Sequence, residues 1–126
     1  MIDHVSIGVR HLTKAKSFYD TVLKPLGYKC LSEGDGFLGY GRKAVALWIY
    51  AAERPLPPDE KSGLHLCFAA PTRKSVEAFH GAALGAGARD NGKPGVRAEY
   101  DPNYYAAFVV DPDGYRIEAH CGRSAG

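Results

Sequence analysis

The chain repeats itself. Displaced by 61 positions, His4 falls on His65, Val5 on Leu66, Ile7 on Phe68, Ala15 on Val76, Phe18 on Phe79, Val22 on Ala83 and Leu23 on Leu84. Identity is low, but the apolar pattern holds for about twenty positions and agrees in both a strand period and a helix period. A chain built this way folds as two like modules in tandem. The first covers about residues 1–53, a proline-rich linker about 54–62, and the second about 63–121.

Each half opens on a strand. Val5, Ile7 and Val9 alternate within Ile2–Arg10, and Leu66, Phe68 and Ala70 alternate within Leu64–Ala70. A helix follows in each. Leu12, Ala15, Phe18, Tyr19, Val22 and Leu23 recur at helical spacing until Pro25, which bars helical geometry at the residue before it. In the second half Thr72 is the expected N-cap, Val76, Phe79, Ala83 and Leu84 form the buried stripe, and Gly85 and Gly87 end it. Three strands complete each module: Tyr28–Ser32, Gly36–Gly41 and Ala44–Tyr50, then Ala88–Arg89, Tyr105–Val110 and Tyr115–Cys121. Asp111-Pro112-Asp113-Gly114 is a tight turn, since proline presets one dihedral and glycine accepts a positive φ. Asn91–Asn103, rich in Gly, Pro and Tyr, reads as irregular and as the rim of a pocket. The expected class is α+β: two βαβββ modules forming a cupped, barrel-like mixed sheet with the helices outside.

Period two then decides the faces. If Val5, Ile7 and Val9 meet the helix, His4 lies on the opposite face with Ser6 and Gly8. If Leu66 and Phe68 meet the helix, His65 lies opposite with Cys67 and Ala69; in the last strand Glu118 opposes Ile117 and Ala119 and shares its face with Arg116 and His120. Three strands thus each offer a metal-capable side chain to the hollow. Two imidazoles and one carboxylate suit a divalent metal with open positions: Fe, Mn, Ni, Co or Zn. Such a metal polarises a carbonyl, stabilises an enolate or binds oxygen. His120 is the candidate acid–base partner of Glu118. Trp48, Cys67, Arg97, Tyr104 and Tyr105 are the candidate substrate pocket, while His11 and His80 read as loop and helix surface.

Composition excludes several classes. With 16 basic against 14 acidic residues and no basic cluster, nothing argues for nucleic acid. The longest apolar run, near Ala44–Ala52, is far short of a bilayer span. Cys30, Cys67 and Cys121 are odd in number and form no CxxC pair, and the opening MIDHVSIGVR has no basic region or apolar core. Reduced thiols in a cytoplasmic protein are the expectation. No phosphate-cradling loop or nucleophilic serine elbow occurs.

Ile2-Asp3-His4-Val5, Ser17-Phe18-Tyr19-Asp20 followed by Leu26-Gly27, Gly63-Leu64-His65-Leu66, and Phe108–Glu118 (FVVDPDGYRIE) together resemble the vicinal oxygen chelate superfamily. That superfamily contains glyoxalase I, extradiol dioxygenases, fosfomycin resistance enzymes and bleomycin resistance proteins. The resemblance covers nearly the whole chain. It implies paired βαβββ modules cupped around a metal, with His4, His65 and Glu118 as ligands, and a homodimer. Glyoxalase I carries a fourth ligand, a glutamate, in the last strand of its first module; here the matching position is Leu47 or Trp48. Glyoxalase I activity is therefore not expected. Pro102-Asn103-Tyr104-Tyr105 and Arg89-Asp90-Asn91-Gly92 are similar to a small glyoxalase-like subgroup. The resemblance implies a small metal-dependent lyase, isomerase or dioxygenase acting on a substrate chelated through adjacent oxygens. The alternatives are a metal-free protein that sequesters a small molecule, and a relic whose cup is filled by side chains.

Overall fold

The computed structural model describes residues 1–55 and 60–123. The order is β1 (Val5–Val9), α1 (Leu12–Leu23), a 3-10 turn (Lys24–Leu26), β2 (Lys29–Gly34), β3 (Phe37–Gly41) and β4 (Val45–Ala51). A 3-10 turn at Glu60–Ser62 leads to β5 (His65–Ala69), α2 (Arg73–Gly85), β6 (Arg89–Val96), β7 (Tyr105–Val110) and β8 (Arg116–Cys121). Part of the expected linker, residues 56–59, lies outside the described residues.

Two four-stranded mixed sheets result, ordered β1-β4-β3-β2 and β5-β8-β7-β6. In each, the helix carries the chain from the first strand to the far edge, and two antiparallel steps return it to a strand parallel to the first. The architecture is the expected pair of βαβββ modules. The sheets do not close on each other within the chain: β1 and β5, the strands beside or bearing the two histidines, are both sheet edges.

The core follows from the alternation. Val9, Ile49, Phe79, Ile117 and Val109 are fully or almost fully buried, and each such side chain contributes about 1.5–3 kcal/mol of burial free energy. α1 buries Ala15, Phe18, Tyr19, Val22 and Leu23. It stops at Leu23, and Pro25 sits inside the following 3-10 turn, which closes on Gly27 at a φ of 88°. α2 starts from Thr72, whose hydroxyl accepts the Ser75 N–H while the Ser75 hydroxyl accepts the Thr72 N–H. The two helices pack on each other, so one hydrophobic core serves both modules.

The structure corrects five sequence expectations. Leu84, expected in the buried stripe of α2, is 41 % exposed. β1 begins only at Val5, so His4 precedes the strand. β6 runs through Val96, well into the stretch expected to be irregular; its register is broken at Asp90/Gly92 and Gly92/Gly95, which hid the alternation. His80 is not helix surface: it is 7 % exposed, and Nε2 meets Asp90 Oδ1 at 2.9 Å. Tyr105 is not on the cup face. It alternates with Ala106 and Phe108, and its hydroxyl donates to Glu77 of α2 at 2.6 Å.

Candidate functional site

The face of the second sheet turned away from α2 gathers a polar cluster. β5 places Cys67 beside Glu118 of β8, and β7 places Phe108 on its other side. His65 Nε2 lies 2.8 Å from Glu118 Oε1, and the Tyr104 hydroxyl donates to Glu118 Oε2 at 2.6 Å. Glu118 is only 3 % exposed although it belongs to the open face. Its charge is out of water and both its oxygens meet hydrogen-bonding groups, the condition under which a buried carboxylate is tolerable.

The partners are themselves braced. His65 packs edge-on against Phe108, with ring centroids 5.9 Å apart. Tyr104 stacks on His120 at 3.8 Å and meets Tyr100 edge-on at 5.0 Å. The segment before β7 folds back tightly: Arg97 N–H donates to the Tyr104 carbonyl at 2.7 Å, and Tyr104 N–H to the Asp101 carbonyl at 3.0 Å. Burial, then the hydrogen bond to Glu118, holds the Tyr104 phenol above its usual pKa, so it remains a donor at neutral pH. The Cys67 thiol is pushed up to about 12, by desolvation first and by the Glu118 carboxylate second. It is therefore a neutral thiol and a poor nucleophile.

Five of the expected residues, His65, Cys67, Tyr104, Glu118 and His120, form this cluster. Four do not join it. His4 is exposed, with Nδ1 2.7 Å from its neighbour Asp3, because the strand that would have turned it inward starts one residue later. Tyr105 faces α2, as above. Arg97 is committed to its own loop, donating to the Gly95 and Lys93 carbonyls at 2.8 and 2.6 Å with its guanidinium 5.2 Å over Phe108. Trp48 belongs to the other sheet, where it meets Phe37 and Tyr50 at 6.0 and 6.3 Å. Among the described residues no three His, Cys, Asp or Glu side chains are placed to hold one metal ion. Sequence reasoning passed over Phe37, Tyr50 and Phe108, which line the open faces; their strand alternation with buried neighbours was the available signal.

An apolar cavity of about 220 Å³ touches this cluster at Cys67 and lies between Val5, Tyr40 and Leu47 of the first module and Leu66 and Phe68 of β5. Tyr28 crosses beside it to donate to the Ala69 carbonyl at 2.6 Å.

The sequence pattern of the Glyoxalase/Bleomycin resistance protein/Dioxygenase superfamily matches residues 1–119. Solved structures agree. A glyoxalase/bleomycin resistance protein of Albidiferax ferrireducens T118 is 31% identical, with 94% of this chain and 97% of that one covered and a TM-score of 0.82. A glyoxylase/bleomycin resistance protein/dioxygenase domain of Frankia sp. EAN1pec is 21% identical over 98% of both chains, with a TM-score of 0.72. The genomically encoded fosfomycin resistance protein FosX of Listeria monocytogenes shares the fold at 13% identity, covering 95% of this chain and 91% of that one, with a TM-score of 0.70. No functionally curated protein matches.

Proposed function

The chain belongs to the Glyoxalase/Bleomycin resistance protein/Dioxygenase superfamily, and on that premise we propose that it is a metal-dependent enzyme for a small organic substrate bearing two adjacent oxygens. The carrying observation is the converging pair of His65 Nε2 and Glu118 Oε1, 2.8 Å apart on an open sheet face. An imidazole and a carboxylate with room beside them are a fitting donor pair for Fe, Mn, Ni, Co or Zn.

The third ligand would be His4 of a second copy. His4 is exposed and precedes an edge strand; His65 begins the other edge strand. Unpaired edges favour association. Setting β1 of one copy beside β5 of another would join two half-cups and bring the edge bearing His4 to the edge bearing His65. The reading is thus a homodimer with two equivalent sites.

When bound, the metal supplies a Lewis acid that stabilises negative charge developing on chelated substrate oxygens. The protein groups do the rest. Tyr104 keeps Glu118 in one orientation by donating to Oε2, so that Oε1, which here meets His65 Nε2, would be the ligating oxygen. His120, stacked on the Tyr104 ring on the same face as Glu118, would accept or return a substrate proton. Phe108 and the ring of His65 restrict water on that side.

One observation favours a second reading, a metal-free protein that sequesters a small molecule: both Glu118 oxygens already have partners within the chain. Metal analysis separates the two. Protein prepared without chelator or metal-affinity tag should carry about one equivalent per chain, and His65→Ala should carry almost none. If the wild type stays metal-free after loading with Fe, Mn, Ni, Co or Zn, the sequestering reading holds instead. No helix among the described residues is long and apolar enough to cross a membrane.

A further inference from the structure

The register of the two sheets identifies the first-module counterpart of Glu118. In the first module β1 aligns Ser6 with Trp48 of β4; in the second, β5 aligns Cys67 with Glu118 of β8. The internal repeat places Ser6 on Cys67, so Trp48 occupies the position in its sheet that Glu118 occupies in the other. The ambiguity between Leu47 and Trp48 is resolved by burial as well: Leu47 is 5 % exposed in the core, whereas Trp48 turns to the open face.

The first sheet is built to lay that indole flat. Gly39 is the cross-strand partner of Trp48, and a Cβ there would stand 2.7 Å from Trp48 Cζ3 and 3.0 Å from Val45 Cγ1. Any side chain at position 39 would lift or displace the ring. Phe37 lies against Gly34 in the same fashion, so a Cβ at position 34 would collide with its ring. Phe37, Trp48 and Tyr50 lie with centroids 6.0–6.4 Å apart, and Tyr50 is still 43 % exposed. Glycines beneath and mutually tilted rings above make an aromatic wall, carrying no charge, where the pseudo-symmetric partner of Glu118 would be.

We propose that Trp48 is the specificity-determining residue of the site, selecting ligands that present a planar aromatic face beside their chelating oxygens. This rests on the two-copy cup proposed above, in which Trp48 of one copy faces Glu118 of the other. Aromatic rings gain from stacking beyond the area they bury, so a flat ring should be preferred over a puckered one of the same carbon skeleton.

Mandelate and hexahydromandelate test this, because they carry the same 2-hydroxycarboxylate and differ only in a phenyl against a cyclohexyl ring. Trp48 is the sole tryptophan, so its emission reports directly on contact. With Zn-loaded dimer, calorimetry should give about tenfold tighter binding of mandelate, with saturable change in tryptophan emission. The preference should vanish in Trp48→Leu and survive in Trp48→Phe. Equal affinities in the wild type, a preference undiminished in Trp48→Leu, or binding of neither ligand would overturn the proposal. Metal content of the same samples judges the metal separately: a metal-free chain that still prefers mandelate through Trp48 keeps this inference and loses the metal.

Discussion

Tyr19 donates its hydroxyl to Asp111 Oδ2 at 2.5 Å, joining α1 to a turn 92 residues further along the chain. Asp111 Oδ1 accepts the N–H groups of Asp113 and Tyr115 at 2.9 and 2.7 Å, and the Tyr115 hydroxyl reaches back to the Gly8 carbonyl at 2.5 Å. One buried carboxylate therefore organises the β7–β8 turn and ties it to the first module.

That carboxylate makes stability depend on pH. Burial raises the Asp111 pKa to about 6, despite the opposing hydrogen bonds from Tyr19 and Tyr115. The unfolded value is about 3.9. A folded-state pKa above the unfolded one favours folding below about pH 4, and that contribution is lost as pH rises through 6. Relative to Asp111→Asn, the wild type should lose about 2–3 kcal/mol between pH 4 and pH 7.5. Asp113 also titrates upward on burial, and His11 and Lys14 oppose it, so the difference between the two proteins isolates Asp111. Urea melts across that range check it; a difference independent of pH contradicts it.

Removing the donor sharpens the same point. Tyr19→Phe leaves a buried acceptor one bond short, a cost of about 1.5–3 kcal/mol when the acceptor is charged. The loss should be larger at pH 8 than at pH 5, where Asp111 is largely protonated, as thermal melts at the two pH values would show.

The α2 cap is a local prediction. Thr72→Ala removes the acceptor for the Ser75 N–H and should cost about 1 kcal/mol, read as a lower urea midpoint at unchanged slope. No change would mean that tertiary packing alone fixes the start of α2.

Tyr104→Phe leaves Glu118 Oε2 without its donor. Metal affinity should fall 10–100-fold, roughly the effect of losing an outer hydrogen bond to a ligating group. A competition titration with a coloured chelator measures this, and circular dichroism checks that the fold is intact.

How much of this was legible depended on whether a signal was periodic. Val5, Ile7 and Val9, the Thr72 cap and the Tyr105–Val110 strand were readable because local alternation or capping chemistry specifies them. β6 was not, since Gly92 and Gly95 break the pattern and backbone pairing to β7 holds the strand. Period two put Cys67, Glu118 and His120 on one face, but it fails where a strand has not begun, which is why His4 lies elsewhere. It also says nothing of residues arriving from loops: Tyr104 was a pocket candidate by composition, and its bond to Glu118 depends on how 97–104 folds. Tyr19 and Asp111 each sit in a recognisable motif, yet nothing in either announces the other.

The proposed sharing of each metal site between two copies is decided by a mixed dimer. His4→Ala and His65→Ala should each bind almost no metal alone. Combined in one isolated heterodimer, they rebuild one intact site from the His4 of one chain and the His65 and Glu118 of the other, giving about one metal per heterodimer. If the wild type binds metal and the heterodimer binds none, the ligands come from within a single chain and the account is wrong.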